Sequence, residues 1–126
     1  MQKKITKRDI ERYRIAYSVA EESLCRFQIG AVIYSGARFI TCAHNVVKTH
    51  PIQTKEYGQH VISIHAEFAA LIKSRTNISG ATMYIARASP HKNTSKPCHV
   101  CRELMSMAGI KYIVYTVSGE LVKESV

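Results

Sequence analysis

The sequence has no tryptophan, only three phenylalanines and only three prolines, and its nine acidic residues face eighteen basic ones. The aromatic shortage argues against a long platform on which successive bases of a nucleic-acid strand could stack. No apolar run approaches the ~20 residues that a bilayer-spanning helix requires, so no membrane association is expected. Neither an internal repeat nor a low-complexity tract is visible. The start, Met1-Gln2-Lys3-Lys4, runs into charged residues and not into the apolar core of a signal peptide, so a cytoplasmic protein is expected. Cysteine is scarce as well: there are four, and two of them have a better use than a disulfide. Cys25 and Cys42 are left over and are expected as buried free thiols.

What is present is ordinary globular material, 46% apolar and 21% charged over 126 residues, which predicts one domain spanning 1–126. The formal net charge of +9 is the unusual property. It favours anionic partners, either a substrate phosphate or a nucleic-acid backbone, although part of the excess is spread along the first segment and can serve solubility alone.

The chemistry concentrates in His65-Ala66-Glu67 and, about thirty residues later, in Pro97-Cys98-His99-Val100-Cys101. One imidazole and two thiols make a three-ligand zinc site whose fourth position stays open, the mark of a catalytic metal and not a structural one. A structural site would want a further ligand at short spacing, and His99, between the two thiols, should point away. Cys98 and Cys101 fall on one helix face, with Pro97 suited to the helix start. A helix N-terminus lowers thiol pKa, so both cysteines are expected as thiolates before metal arrives. His65 and Glu67 would diverge in mid-helix. They converge only at a first turn, for which Ser63 is the expected cap. Glu67 is then placed to move protons for a water at the open position.

The rest of the chain reads as alternating elements. Residues 6–22 predict a helix with a Thr6/Asp9 capping box and an apolar stripe of Ile10, Tyr13, Tyr17, Ala20 and Leu24. Residues 28–34 and 38–44 predict strands joined at Ser35-Gly36. A long loop over 46–62 carries Lys48, His50, Lys55 and His60, and a helix follows over 63–75. A strand over 81–88 leads into a second basic loop with Arg87, His91, Lys92 and Lys96. After the cysteine helix, strands over 111–117 and 120–125 are separated by Ser118-Gly119 alone, which allows only an antiparallel hairpin. That hairpin places the last strand at a sheet edge, and such edges often pair with a second copy, so a homo-oligomer is expected.

These residues resemble the cytidine and deoxycytidylate deaminase superfamily, whose base-modifying zinc enzymes carry an H-x-E…P-C-x-x-C signature. The likeness extends to Phe27-Gln28-Ile29-Gly30-Ala31-Val32-Ile33, to Cys42-Ala43-His44-Asn45 and to Ala108 through Tyr115. It implies an α/β three-layer fold, a five-stranded mixed sheet with helices on both faces and the two zinc helices together on one. It also implies one zinc per chain, ligated by His65, Cys98 and Cys101, with Glu67 as acid/base. Asn45 would hold the sugar, and Ala66, Pro97, Lys96 and Lys48 would contact substrate. The hairpin ending resembles the free-nucleoside branch, whereas histidine as first ligand is typical of the deoxycytidylate and tRNA branches. The expected activity is hydrolytic deamination of a free pyrimidine nucleotide, deoxycytidylate first. Single-stranded DNA or RNA is the alternative substrate, with cytosine or adenine as the base. A non-catalytic binding module on the same fold would have no need of Glu67.

Overall fold

The computed structural model describes residues 2–46, 65–74, 76–89 and 94–126, the side chains of Gln2 and Ser89 excepted. The predicted loop with Lys48, His50, Lys55 and His60, the expected cap Ser63, and His91 and Lys92 therefore lie outside the described residues.

Helix α1 (Lys7–Glu21) starts as its sequence predicts. The Thr6 hydroxyl accepts from the Asp9 amide at 3.2 Å, and the Thr6 amide donates back to Asp9 Oδ2 at 3.0 Å. The buried face is displaced from the expected stripe. Asp9, Ala16, Val19 and Ala20 are buried, whereas Ile10 is 38% exposed and Leu24, beyond the helix end, is 96% exposed. A carboxylate was not expected in a core, and its environment explains it. Asp9 Oδ1 accepts from the Tyr84 hydroxyl at 2.7 Å, and Lys123 Nζ lies 3.3 Å from Oδ2. A buried charge paired and hydrogen-bonded in this way is tolerated where an isolated one would not be.

Strands β1 (Gln2–Lys3), β2 (Gln28–Ser35), β3 (Arg38–His44), β4 (Thr82–Ser89), β5 (Tyr112–Val117) and β6 (Glu120–Ser125) form one mixed sheet in the order β1-β6-β5-β4-β2-β3. Only β4 and β5 run parallel. The β5–β6 hairpin is confirmed, with Val117 opposite Glu120 and a positive φ at both turn residues, 51° at Ser118 and 81° at Gly119. This backbone sense suits the twist of the flanking strands. One expectation is corrected. The last strand is not the sheet edge, because β1 pairs with it at Lys123 and Glu124. A two-residue strand carries no periodicity, so β1 leaves no signal in the sequence.

The sheet separates two apolar layers. On one side Ala16 and Val19 of α1 pack on Val32, Tyr84, Ala86 and Val114. The approach is close enough that a Cβ on Gly30 would come within 2.4 Å of the Ala16 carbonyl oxygen and 2.5 Å of the Ala20 nitrogen. On the other side helices α2 (Ala66–Lys73) and α3 (His99–Ala108) pack Ala66, Ala70, Cys101 and Met105 on Ala31, Ile33, Ile85 and Ile113. Alternate residues of β2 thus serve opposite layers, as strand geometry requires, and both zinc-motif helices start on one face of the sheet.

Candidate metal centre and active-site cavity

Two helix starts bring the chemistry together. His65 is the extended residue immediately before α2, and Ala66 and Glu67 open its first turn. His65, and not Ser63, therefore occupies the cap position. Cys98 caps α3 with its own thiol, which accepts from the Cys101 amide at 3.4 Å. Cys98 is thus just outside the helix, Cys101 is in its first turn, and buried Pro97 precedes both. This arrangement lets i and i+3 thiols face one point without being stacked along the helix.

His65 Nδ1 lies 3.4 Å from Cys101 Sγ and 3.7 Å from Cys98 Sγ. Zinc–sulfur and zinc–nitrogen bonds of about 2.3 and 2.0–2.1 Å set the nitrogen–sulfur edges of a tetrahedron at about 3.5–3.6 Å. The donors therefore fit zinc in type and in spacing, with Nδ1 as the ligating nitrogen, and their three ligand atoms all lie within 4.8 Å of one another. Without a cation the three titrate one another. A hydrogen bond to Cys98 is the main influence raising the His65 pKa, against burial, which lowers it. The hydrogen bond with Cys98, followed by burial, pushes Cys101 upward. For Cys101 these two effects act against the thiolate expected at a helix start. A bound cation reverses that balance.

Glu67 is 5% exposed, and its Oε1 is buried with no hydrogen-bond partner among the described residues. Burial raises its pKa against the pull of its own backbone amide and of His65. Burial that disfavours the charged carboxylate suits a group that must take up a proton and give it back.

A cavity of about 660 Å³ opens over the centre. His65, Glu67, Cys98, Asn45 and Lys96 line it as the sequence suggests. Ala66 is fully buried and its side chain belongs to the core, which leaves its amide at the helix start. Asn45 is buried and already well occupied. Its Oδ1 accepts from Ser23 Oγ at 2.7 Å and from the Ile29 amide at 3.1 Å, and its Nδ2 donates to the Phe27 carbonyl. Asn45 thus braces the chain, and its Nδ2 has one hydrogen without a partner among the described residues.

Sequence reasoning missed the segment Leu24-Cys25-Arg26-Phe27, which lines the same cavity. Phe27 stands before β2, and not in it, and is 46% exposed. The available signal was its place in a short helix-to-strand connection. Cys25 and Cys42 are free, as expected, but only half-buried.

A three-ligand metal site of this donor set, with a buried carboxyl group beside it and helices on both faces of a mixed sheet, defines a zinc-dependent deaminase. The chain belongs to the cytidine and deoxycytidylate deaminase zinc-binding family, whose description matches residues 6–117. Among solved structures it is similar to dCMP deaminase from the cyanophage S-TIM5 in apo form, with 21% identity, a TM-score of 0.64 and coverage of 87% of this chain and 82% of that one. Cytidine deaminase from Burkholderia pseudomallei is similar at 19% identity and a TM-score of 0.61, over 96% and 93% of the two chains. The cyanophage enzyme in complex with dCMP and dUMP matches at 18% identity and a TM-score of 0.59, over 87% and 82%. A comparison with curated protein sequences finds no match. Among the described residues no helix is long and apolar enough to cross a membrane.

Proposed function

We propose that the chain, as a single domain over 1–126, deaminates the cytosine base of a free pyrimidine nucleotide, deoxycytidylate first, to uracil with release of ammonia. The observation that carries this reading is the buried Glu67 Oε1, unpartnered among the described residues, beside a His65–Cys98–Cys101 set of zinc geometry, at a cavity large enough for a nucleotide. The similarity to a dCMP deaminase found with dCMP and dUMP supports the substrate class.

His65, Cys98 and Cys101 would hold one zinc per chain. When bound, zinc supplies Lewis acidity that brings the pKa of water toward about 7. Glu67 accepts a proton from the attacking water and delivers it to the ring nitrogen next to the amine-bearing carbon. It then carries the second proton to the departing amine, so that a C–O bond replaces the C–N bond and ammonia leaves. The Ala66 and Cys98 amides, at the two helix starts, are assigned to ring contacts, with Pro97 shaping the wall beside Cys98. The hydrogen of Asn45 Nδ2 that has no partner among the described residues is assigned to a sugar oxygen, and Lys96 with Lys48 to the ligand's anionic end. Self-association belongs to the same proposal, and sedimentation showing only monomer at micromolar concentration would remove it.

The test is ammonia release from deoxycytidine, dCMP, CMP, adenosine nucleotides and a cytosine-containing oligonucleotide, each across a salt series. Turnover of dCMP is expected. Binding through several phosphates of one strand would instead weaken by roughly 0.7 log units per contact per log unit of salt. Turnover of the oligonucleotide and not of dCMP overturns the proposal in favour of the polynucleotide reading, which the net charge of +9 favours.

A further inference from the structure

We infer that Arg102, through its bonds to strand β6, is a positioning residue for Cys101: it fixes the rotation of helix α3 at which the Cys101 thiol meets His65. This rests on the reading of His65, Cys98 and Cys101 as zinc ligands, and not on the identity of the substrate.

Arg102 follows Cys101 directly in the first turn of α3, so the two side chains leave the helix about 100° apart. Cys101 is buried in the core layer that carries the metal centre. Arg102 reaches β6 instead. Its Nη1 donates to Glu124 Oε1 at 2.6 Å, and its Nη2 donates to the Ser125 carbonyl at 3.1 Å. A planar fork seated on two acceptors of one strand resists rotation as a single contact does not. Among the described residues these are the only side-chain hydrogen bonds from α3 to the sheet. The other contacts of α3 in that layer, through Cys101 and Met105, are apolar, and apolar attraction is non-directional.

The anchor is itself held. The Tyr115 hydroxyl donates to the same Glu124 Oε1 at 3.0 Å. Strand β6 lies between β1 and β5, with Glu124 opposite Gln2 on one side and Ile113 on the other. Burial acts to raise the Glu124 pKa, but the bonds from Arg102 and Tyr115, with the charges of Arg102 and Lys96, hold it below the ordinary 4.5. The pair is therefore charged at neutral pH, and both side chains are partly buried. The metal site leaves little latitude. Metal–ligand distances are set to within about 0.2 Å. Turning α3 by about 10° would carry a side-chain tip, about 5 Å from the helix axis, through about 0.9 Å. The fork on β6 opposes that turn, and so holds Cys101 Sγ at its 3.4 Å from His65 Nδ1.

The test measures zinc affinity by competition with a chelator, and the absorption bands of the cobalt-substituted protein, in wild type, Arg102→Gln, Arg102→Lys and Glu124→Gln. Val19→Ala, in the apolar layer beneath α1, is the control for instability alone. Arg102→Gln is expected to weaken zinc binding about tenfold or more, the scale on which groups supporting metal ligands act. Its cobalt bands should shift, because the ligand geometry changes. Arg102→Lys keeps the charge without the fork and should fall between Arg102→Gln and wild type. In a double-mutant cycle, Arg102→Gln should add little to the zinc loss already caused by Glu124→Gln. Val19→Ala should lower the Tm while keeping zinc affinity within about twofold and the cobalt bands in place. Unchanged affinity and bands in Arg102→Gln, or the same change in Val19→Ala, overturns the inference. Should Arg102→Gln fail to fold, Arg102→Lys and Glu124→Gln are read by the same criteria. A weakened, spectrally altered site in Arg102→Gln, where wild type releases no ammonia from any nucleotide, supports the inference and defeats the deaminase reading. Ammonia release from dCMP with an unaltered metal site in Arg102→Gln does the reverse.

Discussion

His65 Nδ1, at the cap of α2, and Cys101 Sγ, in the first turn of α3, lie 3.4 Å apart, close to the edge of a zinc tetrahedron. Nothing local holds them there. Helix α2 brings one and helix α3 the other, so metal binding and the packing of the two helices are linked. Cys101→Ala is expected to lose zinc and to unfold at markedly lower temperature than wild type, and a strong chelator should lower the wild-type Tm in the same direction. Metal analysis beside thermal unfolding checks this, and a zinc-free variant with an unchanged Tm would contradict it.

Glu67 should be separable from the ligands. Glu67→Gln keeps the shape of the side chain but cannot accept and return a proton. It is expected to bind about one zinc per chain and to lose a factor of about 10² to 10⁴ or more in turnover. Full activity in this variant would remove the proton-transfer role.

Asp9 gives stability a pH dependence. Burial acts to raise its pKa, but hydrogen bonds from the Thr6 amide, Tyr84, the Thr6 hydroxyl and Lys123 together hold it below the ordinary 3.8. A carboxyl group depressed in the folded state contributes stability that is complete above its unfolded pKa and is lost as pH falls through the folded one. Asp9→Asn should therefore cost about 1–3 kcal/mol at pH 7, and the gap to wild type should narrow below about pH 4. Urea unfolding at several pH values measures it; a gap that widens on acidification would contradict the assignment.

Gly30 is needed for its missing side chain. Its Cβ would meet backbone atoms of Ala16 and Ala20, which cannot rotate away as a side-chain tip can. Gly30→Ala should push α1 off the sheet and cost about 3 kcal/mol or more, at or beyond the top of the overpacking range. Urea unfolding provides the measure.

Ser118 is the one described non-glycine residue with positive φ, at 51° in the β5–β6 turn. Asparagine tolerates that conformation better and would create the Asn-Gly pair that such hairpins favour. Ser118→Asn is expected to stabilise the protein by about 0.5 kcal/mol, the scale of relieving a disfavoured turn conformation. No gain in the urea midpoint would count against the turn as described.

The sequence alone singled out the side chains of the candidate site and most of the elements that bear them. A tetrahedral metal with an open position restricts donor type and number so severely that His65, Glu67, Cys98 and Cys101 can be read from spacing. The two-residue link at Ser118-Gly119 likewise left only an antiparallel pairing for the final strands. Tertiary structure decided what spacing does not encode. It made a buried, satisfied group of Asp9 through Tyr84 and Lys123, which are 75 and 114 residues away in sequence. It added β1 beside β6, a pairing of two residues too short to leave a pattern. It also turned Asn45 into a brace and brought Arg26 and Phe27 to the wall of the cavity. Each of these depends on partners from distant elements. Such contacts exist only once the sheet has assembled, whereas periodicity and motif spacing report on the chain's nearest neighbours.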